Sequence, residues 1–244
     1  MKSLAAVILA LSLAALAPAA SAQTEVDLEL VLLADATGSI DDAEIRFQRQ
    51  GYGEAITHPD VIDAITGTAS GRIAVTYVEW GNAVEQDIIV DWTIIDDAES
   101  AAAFAGALMV PPRRARGGNA IGAALLFGKS RIEGNAIEGT RRVIDISADS
   151  AANFSGPSIM SARDQVVAAG ITINGLAVLC RECSGRPINY DLEAVFAEEV
   201  VGGPGAFVVT ADGPATFAEA VRRKLVLEIA DGTELRDLAT ATGG

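Results

Sequence analysis

The run Val26-Asp27-Leu28-Glu29-Leu30-Val31-Leu32-Leu33-Ala34 constrains this chain more than any other segment, because it begins as strict alternation and becomes continuously apolar. Alternation marks a strand with one wet face; a continuous apolar run marks one covered on both faces, as in the middle of an α/β sheet. Composition agrees with that reading. Half of the residues are apolar but only 5% are aromatic, so the core has to be built from Val, Ile, Leu and Ala, which suits a buried sheet better than an all-β sandwich.

Downstream, strand-like and helix-like periods alternate. Asp41 to Thr57 reads as a helix, with Ser39 available as its N-cap and His58-Pro59 ending or kinking it. Arg72 to Trp80 and Gln86 to Trp92 read as strands joined by a short Gly-containing loop, a hairpin signal. Helical spacing returns at Asp97 to Met109 and Ala120 to Ile132, followed by a strand at Val143 to Ser147, a helix at Ser158 to Ala169 and a strand at Ile171 to Leu179. A helix near Leu192 to Val200, a strand at Ala206 to Thr210 and a helix from Pro214 to Ile229 complete the set. The pattern predicts a doubly wound α/β fold: one mostly parallel central sheet with helices on both faces. No linker or fixed-period repeat divides the chain, so residues 23–230 are expected to form one domain and residues 231–244 a polar tail.

Residues 1–22 carry an export signal. Lys2 supplies the positive start, Leu4 to Ala17 an apolar run broken only by Ser12, and Ala20-Ser21-Ala22 the small-residue cleavage pattern. The run is shorter than the roughly 20 residues of a bilayer span, so the reading is a cleaved signal peptide and an exported chain, periplasmic or secreted, beginning at Gln23. An oxidising compartment favours pairing Cys180 with Cys183, which follow a strand and precede Gly185 and Pro187. A loop-closing disulfide and a redox-active thiol pair both remain open at this stage.

Charge and histidine content remove whole classes of function. The balance of 18 Lys+Arg against 33 Asp+Glu, a formal −15, repels nucleic acid at long range. The lone histidine, His58, leaves little room for an imidazole zinc site or a Ser-His-Asp triad, and its place before Pro59 suggests helix termination.

In an open α/β sheet, ligands bind beyond the carboxyl ends of the strands, where the strand order reverses. Three loops at that predicted edge carry oxygen donors: Asp35-Ala36-Thr37-Gly38-Ser39, Gly117-Gly118-Asn119-Ala120-Ile121-Gly122, and Asp145-Ile146-Ser147-Ala148-Asp149-Ser150. Carboxylates, hydroxyls and an amide make a hard-oxygen set that suits Mg²⁺, Mn²⁺ or Ca²⁺. Asp35, Thr37 and Ser39, two residues apart, can point to one side of an extended turn.

These residues resemble the metal-ion-dependent adhesion site of von Willebrand factor type A domains, whose first loop reads Asp-x-Ser-x-Ser after a buried strand. Gly117-Gly118-Asn119 falls where that family's metal-binding threonine loop lies, and Asp149 where its second acidic loop lies. Val78-Glu79-Trp80-Gly81, the stretch Glu138 to Asp145, Ala169 to Leu176 and Gly202 to Val208 look like a secreted bacterial branch of the superfamily catalogued as a domain of unknown function. The similarity runs from about Val26 to Ala230.

The resemblance implies a divalent cation, Mg²⁺ first, ligated by the hydroxyls of Thr37 and Ser39, with Asp35 and Asp149 acting through water or directly. Asn119 stands where the family has threonine, and its carbonyl oxygen is the donor it can offer. It further implies a protein-binding module whose metal captures an acidic side chain of a partner. Other readings stay open: Ser39 with Asp42 resembles a capping box, and Asn119 or Asp149 can cap or turn the chain. Arg113, Arg114 and Arg116 either draw an acidic partner or form a solvated loop, and Glu79-Trp80 either presents an aromatic or packs in the core. The rival functions are a metal-dependent hydrolase and thiol-disulfide exchange by Cys180 and Cys183; the strand-end loops show no nucleophile with a neighbouring base.

Overall fold

A computed structural model describes residues 23–179 and 189–230. Cys180 and Cys183, residues 1–22, expected to be a signal peptide, and residues 231–244, expected to be a polar tail, lie outside the described residues. The elements follow the order β1 (Thr24–Asp35), α1 (Asp42–Ile56), α2 (Pro59–Thr66), β2 (Ile73–Trp80), β3 (Gln86–Ile95), α3 (Ala98–Leu108), α4 (Ile121–Glu133) and β4 (Ile137–Ala148). Then come α5 (Ile159–Ala168), β5 (Thr172–Val178), α6 (Leu192–Val195) running on into a π-helical turn (Phe196–Val200), β6 (Val208–Ala211) and α7 (Pro214–Ile229).

The strands form one sheet in the order β3-β2-β1-β4-β5-β6. All neighbours are parallel except β3, which returns antiparallel from β2 as the hairpin signal predicts. β1 lies between β2 and β4, and its buried side chains divide by parity. Leu28, Leu30 and Leu32 enter one core with Tyr52 of α1, Phe104 of α3 and Phe217 of α7, while Val31 and Leu33 enter the other with residues of α4, α5 and α6. This is the doubly wound α/β arrangement that the apolar run demands. The chain leaves β1 toward β2 on one side and meets β4 on the other, so the strand order reverses at the carboxyl end of β1.

Several local expectations need correction. Asp41, not Ser39, caps α1: its carboxylate accepts from Ala43 N and Glu44 N, and Glu44 Oε2 accepts from Asp41 N at 2.7 Å, a complete capping box. His58 does not merely end α1; it caps the next helix through Nδ1, with Pro59 in the first turn where its missing N–H costs nothing. β4 starts at Ile137, six residues before the expected Val143, because its amino half pairs with β1 from Thr24 onward, with Glu138 exposed and Arg141 and Arg142 half-buried. Trp80 and Glu79 are fully buried, so the aromatic is core.

One polar cluster crosses the α7 face of the sheet. Lys224, without exposed surface, pairs with Asp145 of β4 at 2.8 Å and with Glu228 one turn on at 2.5 Å, and Asn174 Nδ2 donates to Glu228 Oε1 at 3.0 Å. Two carboxylates and one ammonium sealed in the core make the fit of α7 depend on Lys224. Lys224→Met should cost about 3–5 kcal/mol, the penalty for stranding buried charge, measured by urea unfolding. A loss below about 1 kcal/mol would mean the carboxylates are already neutral or solvated.

Candidate metal site at the sheet edge

The carboxyl end of β1 turns out of the sheet at Asp35, and the loop that follows is held from two sides. Gly38 N donates to Gly117 O at 2.8 Å, bringing the first and second loops together. Arg113 reaches in from the second loop: Nη2 donates to Ala36 O and Thr37 O at 2.7 and 2.8 Å, and Nη1 to Ile40 O at 2.6 Å. Three carbonyls of the turn are thereby satisfied by one guanidinium, whose fork of donors suits the task. Gly117 adopts φ +95°, and a side chain there would press on Asn82, so the second loop needs glycine to pass so close.

Within this frame the predicted donors converge. Asp35 Oδ1 accepts from Thr37 N at 2.8 Å, and Thr37 Oγ1 lies 3.2 Å from Ser39 Oγ. The Ser39 hydroxyl hydrogen-bonds the carboxylate of Asp149, whose charge also bears on Asp35. Asn119 Nδ2 donates to Ser150 Oγ at 3.0 Å, which ties the second loop to the third. With its nitrogen committed, the atom the Asn119 amide has left to offer is its carbonyl oxygen. Asn119 does not cap α4; that helix begins after Ala120 without a side-chain cap, and Asn153 Oδ1 accepts from Gly122 N at 3.1 Å instead.

The electrostatics are those of a site short of positive charge. Burial pushes the Asp35 carboxyl up to about 7, the nearby Asp149 charge adds to the rise, and the Thr37 N–H pulls against it. Asp149 is raised too, by burial first and by Glu44, against the Ser39 hydroxyl. Asp35 Oδ2 is buried with no hydrogen-bond partner. An orphaned carboxylate oxygen beside a second carboxylate and two hydroxyls is a donor set that fits a hard cation. Among the described residues no cluster of three or more His, Cys, Asp or Glu forms a metal site, so any cation here would rely on hydroxyl, amide and water oxygens.

The family model for "Protein of unknown function (DUF1194)" matches residues 25–233. The chain belongs to the DUF1194 family. No curated protein matches it in sequence. Among solved structures, the pilus adhesin SpaC from Lactobacillus rhamnosus GG aligns over 86% of this chain and 32% of its own, with 12% identity and TM-score 0.61. A von Willebrand factor type A protein from Catenulispora acidiphila aligns over 84% and 43%, with 17% identity and TM-score 0.58. Proximal thread matrix protein 1 from the mussel byssus, solved with a zinc-occupied MIDAS motif, aligns over 85% and 49%, with 15% identity and TM-score 0.60. This DUF1194 chain thus spans less than half the length of each of these structures and shares with them the von Willebrand factor A-like fold.

Sequence reading of this DUF1194 chain missed the groups that support the donors. Arg113 is neither a lure for a partner nor a solvated residue: it is the brace of the first loop, and Arg114, paired with Asp87 at 3.7 Å, is the more exposed of the two. Gln48 Nε2 donates to Asp35 O at 3.3 Å from α1, and Ser150 and Asn153 knit the third loop to the second. Only the clustering of arginines before Asn119 hinted at any of this.

The Asp35 shift sets a pH dependence. In the unfolded chain the group ionises near 3.8, in the fold near 7; between these values the native state binds more protons, so stability falls as pH rises. Without divalent cations, unfolding free energy should decline from about pH 4 to about pH 7 and then level, and Asp35→Asn should make the decline shallower. An unchanged slope in the variant, measured by chemical denaturation across that range, would show that Asp35 is ionised throughout.

Proposed function

We propose that this chain is an exported protein-binding module in which Thr37, Ser39 and Asn119, with Asp35 and Asp149 directly or through water, hold a divalent cation, Mg²⁺ first, that captures an acidic side chain of a partner. The observation that carries the reading is Asp35: a buried carboxylate with one oxygen unpartnered, raised by burial and by a second carboxylate, among hydroxyl and amide oxygens. A cation would relieve the like-charge repulsion and supply the missing partner. Because few of its ligands carry charge, it would stay electrophilic and favour a further carboxylate. The fold shared with a pilus adhesin and with a protein solved with a zinc-occupied MIDAS motif is consistent with this use of the site. Export is inferred from residues 1–22; among the described residues no helix is long and apolar enough to cross a membrane.

The test is calorimetric titration of the chain from Gln23 with Mg²⁺ and Mn²⁺, beside Asp35→Ala/Ser39→Ala. The expected result is saturable binding to the wild type and none to the double variant, whose circular dichroism is unchanged. Equal binding by both proteins would place the cation elsewhere and overturn the assignment.

A further inference from the structure

The face around the proposed metal site is not uniformly polar. Val84 and Phe154 are 87% and 77% exposed, among the highest values for large apolar side chains in the described residues. Scattered apolar residues on a surface mean little, but these two sit on loops fastened to each other and to the site. Ala83 N donates to Ser155 Oγ at 3.1 Å, joining the loop of Val84 to that of Phe154. Phe154 N donates to Asn119 O at 2.7 Å, and Ala120 and Asn153 form an antiparallel bridge. The Phe154 ring lies so close over Gly118 that a Cβ there would come within 3.2 Å of it. Asn153 fixes the same segment through Gly122 N and Pro157 O. The exposed ring is therefore presented by a braced backbone one residue beyond Asn153, beside a proposed metal ligand.

Net charge decides what such a rim can receive. At a formal −15 this protein repels both a second copy of itself and a strongly acidic ligand. A single carboxylate on a solvated cation gives little affinity by itself, so the remaining binding energy has to come from uncharged contact, and a pre-positioned aromatic side chain provides it at low entropic cost.

We infer that Val84 and Phe154 form an apolar rim to the cation site, and that the partner is a segment bearing one acidic residue with an aromatic or aliphatic residue close beside it. This rests on the metal-site reading and specifies the partner's chemistry.

An array of synthetic hexapeptides tests it, with Asp or Glu fixed at a central position and each flanking position scanned from Ser to Leu, Met and Phe, probed with the wild-type chain from Gln23 in Mg²⁺ and in EDTA. Mg²⁺-dependent binding should be at least about tenfold stronger when one flanking position is apolar, the gain expected for burying one such side chain. Val84→Ser/Phe154→Ser should erase that preference while its calorimetric Mg²⁺ titration stays at the wild-type value. Mg²⁺-dependent binding of acidic peptides with no apolar preference, or a preference that survives in the variant, would overturn the rim and leave the metal site standing. Binding indifferent to EDTA, or no binding to any acidic peptide, would overturn the carboxylate capture on which the rim depends.

Discussion

The position of β1 governs the rest of this molecule. It is hydrogen-bonded to β2 on one side and β4 on the other, covered above and below, and so apolar along most of its length. Apart from Glu29, which is buried and held by Asn135 and Gly139, its polar groups lie near its ends. Its carboxyl end coincides with the reversal of strand order, where the chain segments leaving β1 and β4 diverge and open a crevice. Asp35 and Asp149 flank that crevice because β1 and β4 are adjacent parallel strands paired as far as Ala34 and Ser147. The candidate donors thus meet as a consequence of sheet topology.

Holding polar backbone and two carboxylates in that crevice carries a cost, and the structure meets it unevenly. Arg113 answers the carbonyls of Ala36, Thr37 and Ile40 completely enough to make the first loop a fixed turn. The carboxylate of Asp35 is answered in part: Oδ1 has the Thr37 N–H, the Thr37 hydroxyl and the Asp149 N–H also favour its charge, and Oδ2 is left without a full hydrogen bond. The Lys224 cluster on the α7 face offers a contrast. There Asp145 and Glu228 share an internal ammonium, and burial with the charge of Glu228 still lifts Asp145 to about 7 against the pull of Lys224. The two clusters lie along β4 only a few residues apart. One carries its cation within the fold; the other, on the proposed reading, takes it from solvent.

Much of this was legible in the sequence because it follows from periodicity. The run in β1, the hairpin of β2 and β3, and α7 from Pro214 to Ile229 all lie where their apolar spacing puts them. The meeting of the loops was legible for a related reason: the carboxyl ends of adjacent parallel strands lie at one edge of the sheet. What escaped has different causes. α2 begins at Pro59, whose ring suggests a stop, whereas a proline in the first turn is a start, and Val61 and Ile65 are the apolar pair that signals it. The amino half of β4 mixes Glu138, Thr140, Arg141 and Arg142, so no hydrophobic pattern announces it; pairing with β1 alone makes it a strand. Ser39 resembles a cap only if Asp41 is helical; Asp41 is itself the cap, and this leaves the Ser39 hydroxyl with Asp149. Arg113 could not be placed by any local rule, since its partners lie more than seventy residues earlier in the chain.

The central claim, that these loops hold a cation, is tested most directly by anomalous scattering from crystals grown in Mn²⁺ at pH 8. At that pH Asp35, which ionises near 7, carries its charge. The account predicts one strong peak at the carboxyl end of β1, bounded by the oxygens of Thr37, Ser39 and Asn119 and lost in Asp35→Ala/Ser39→Ala crystals. A map with no peak among these loops, or with the strongest peak elsewhere on this acidic surface, would contradict it.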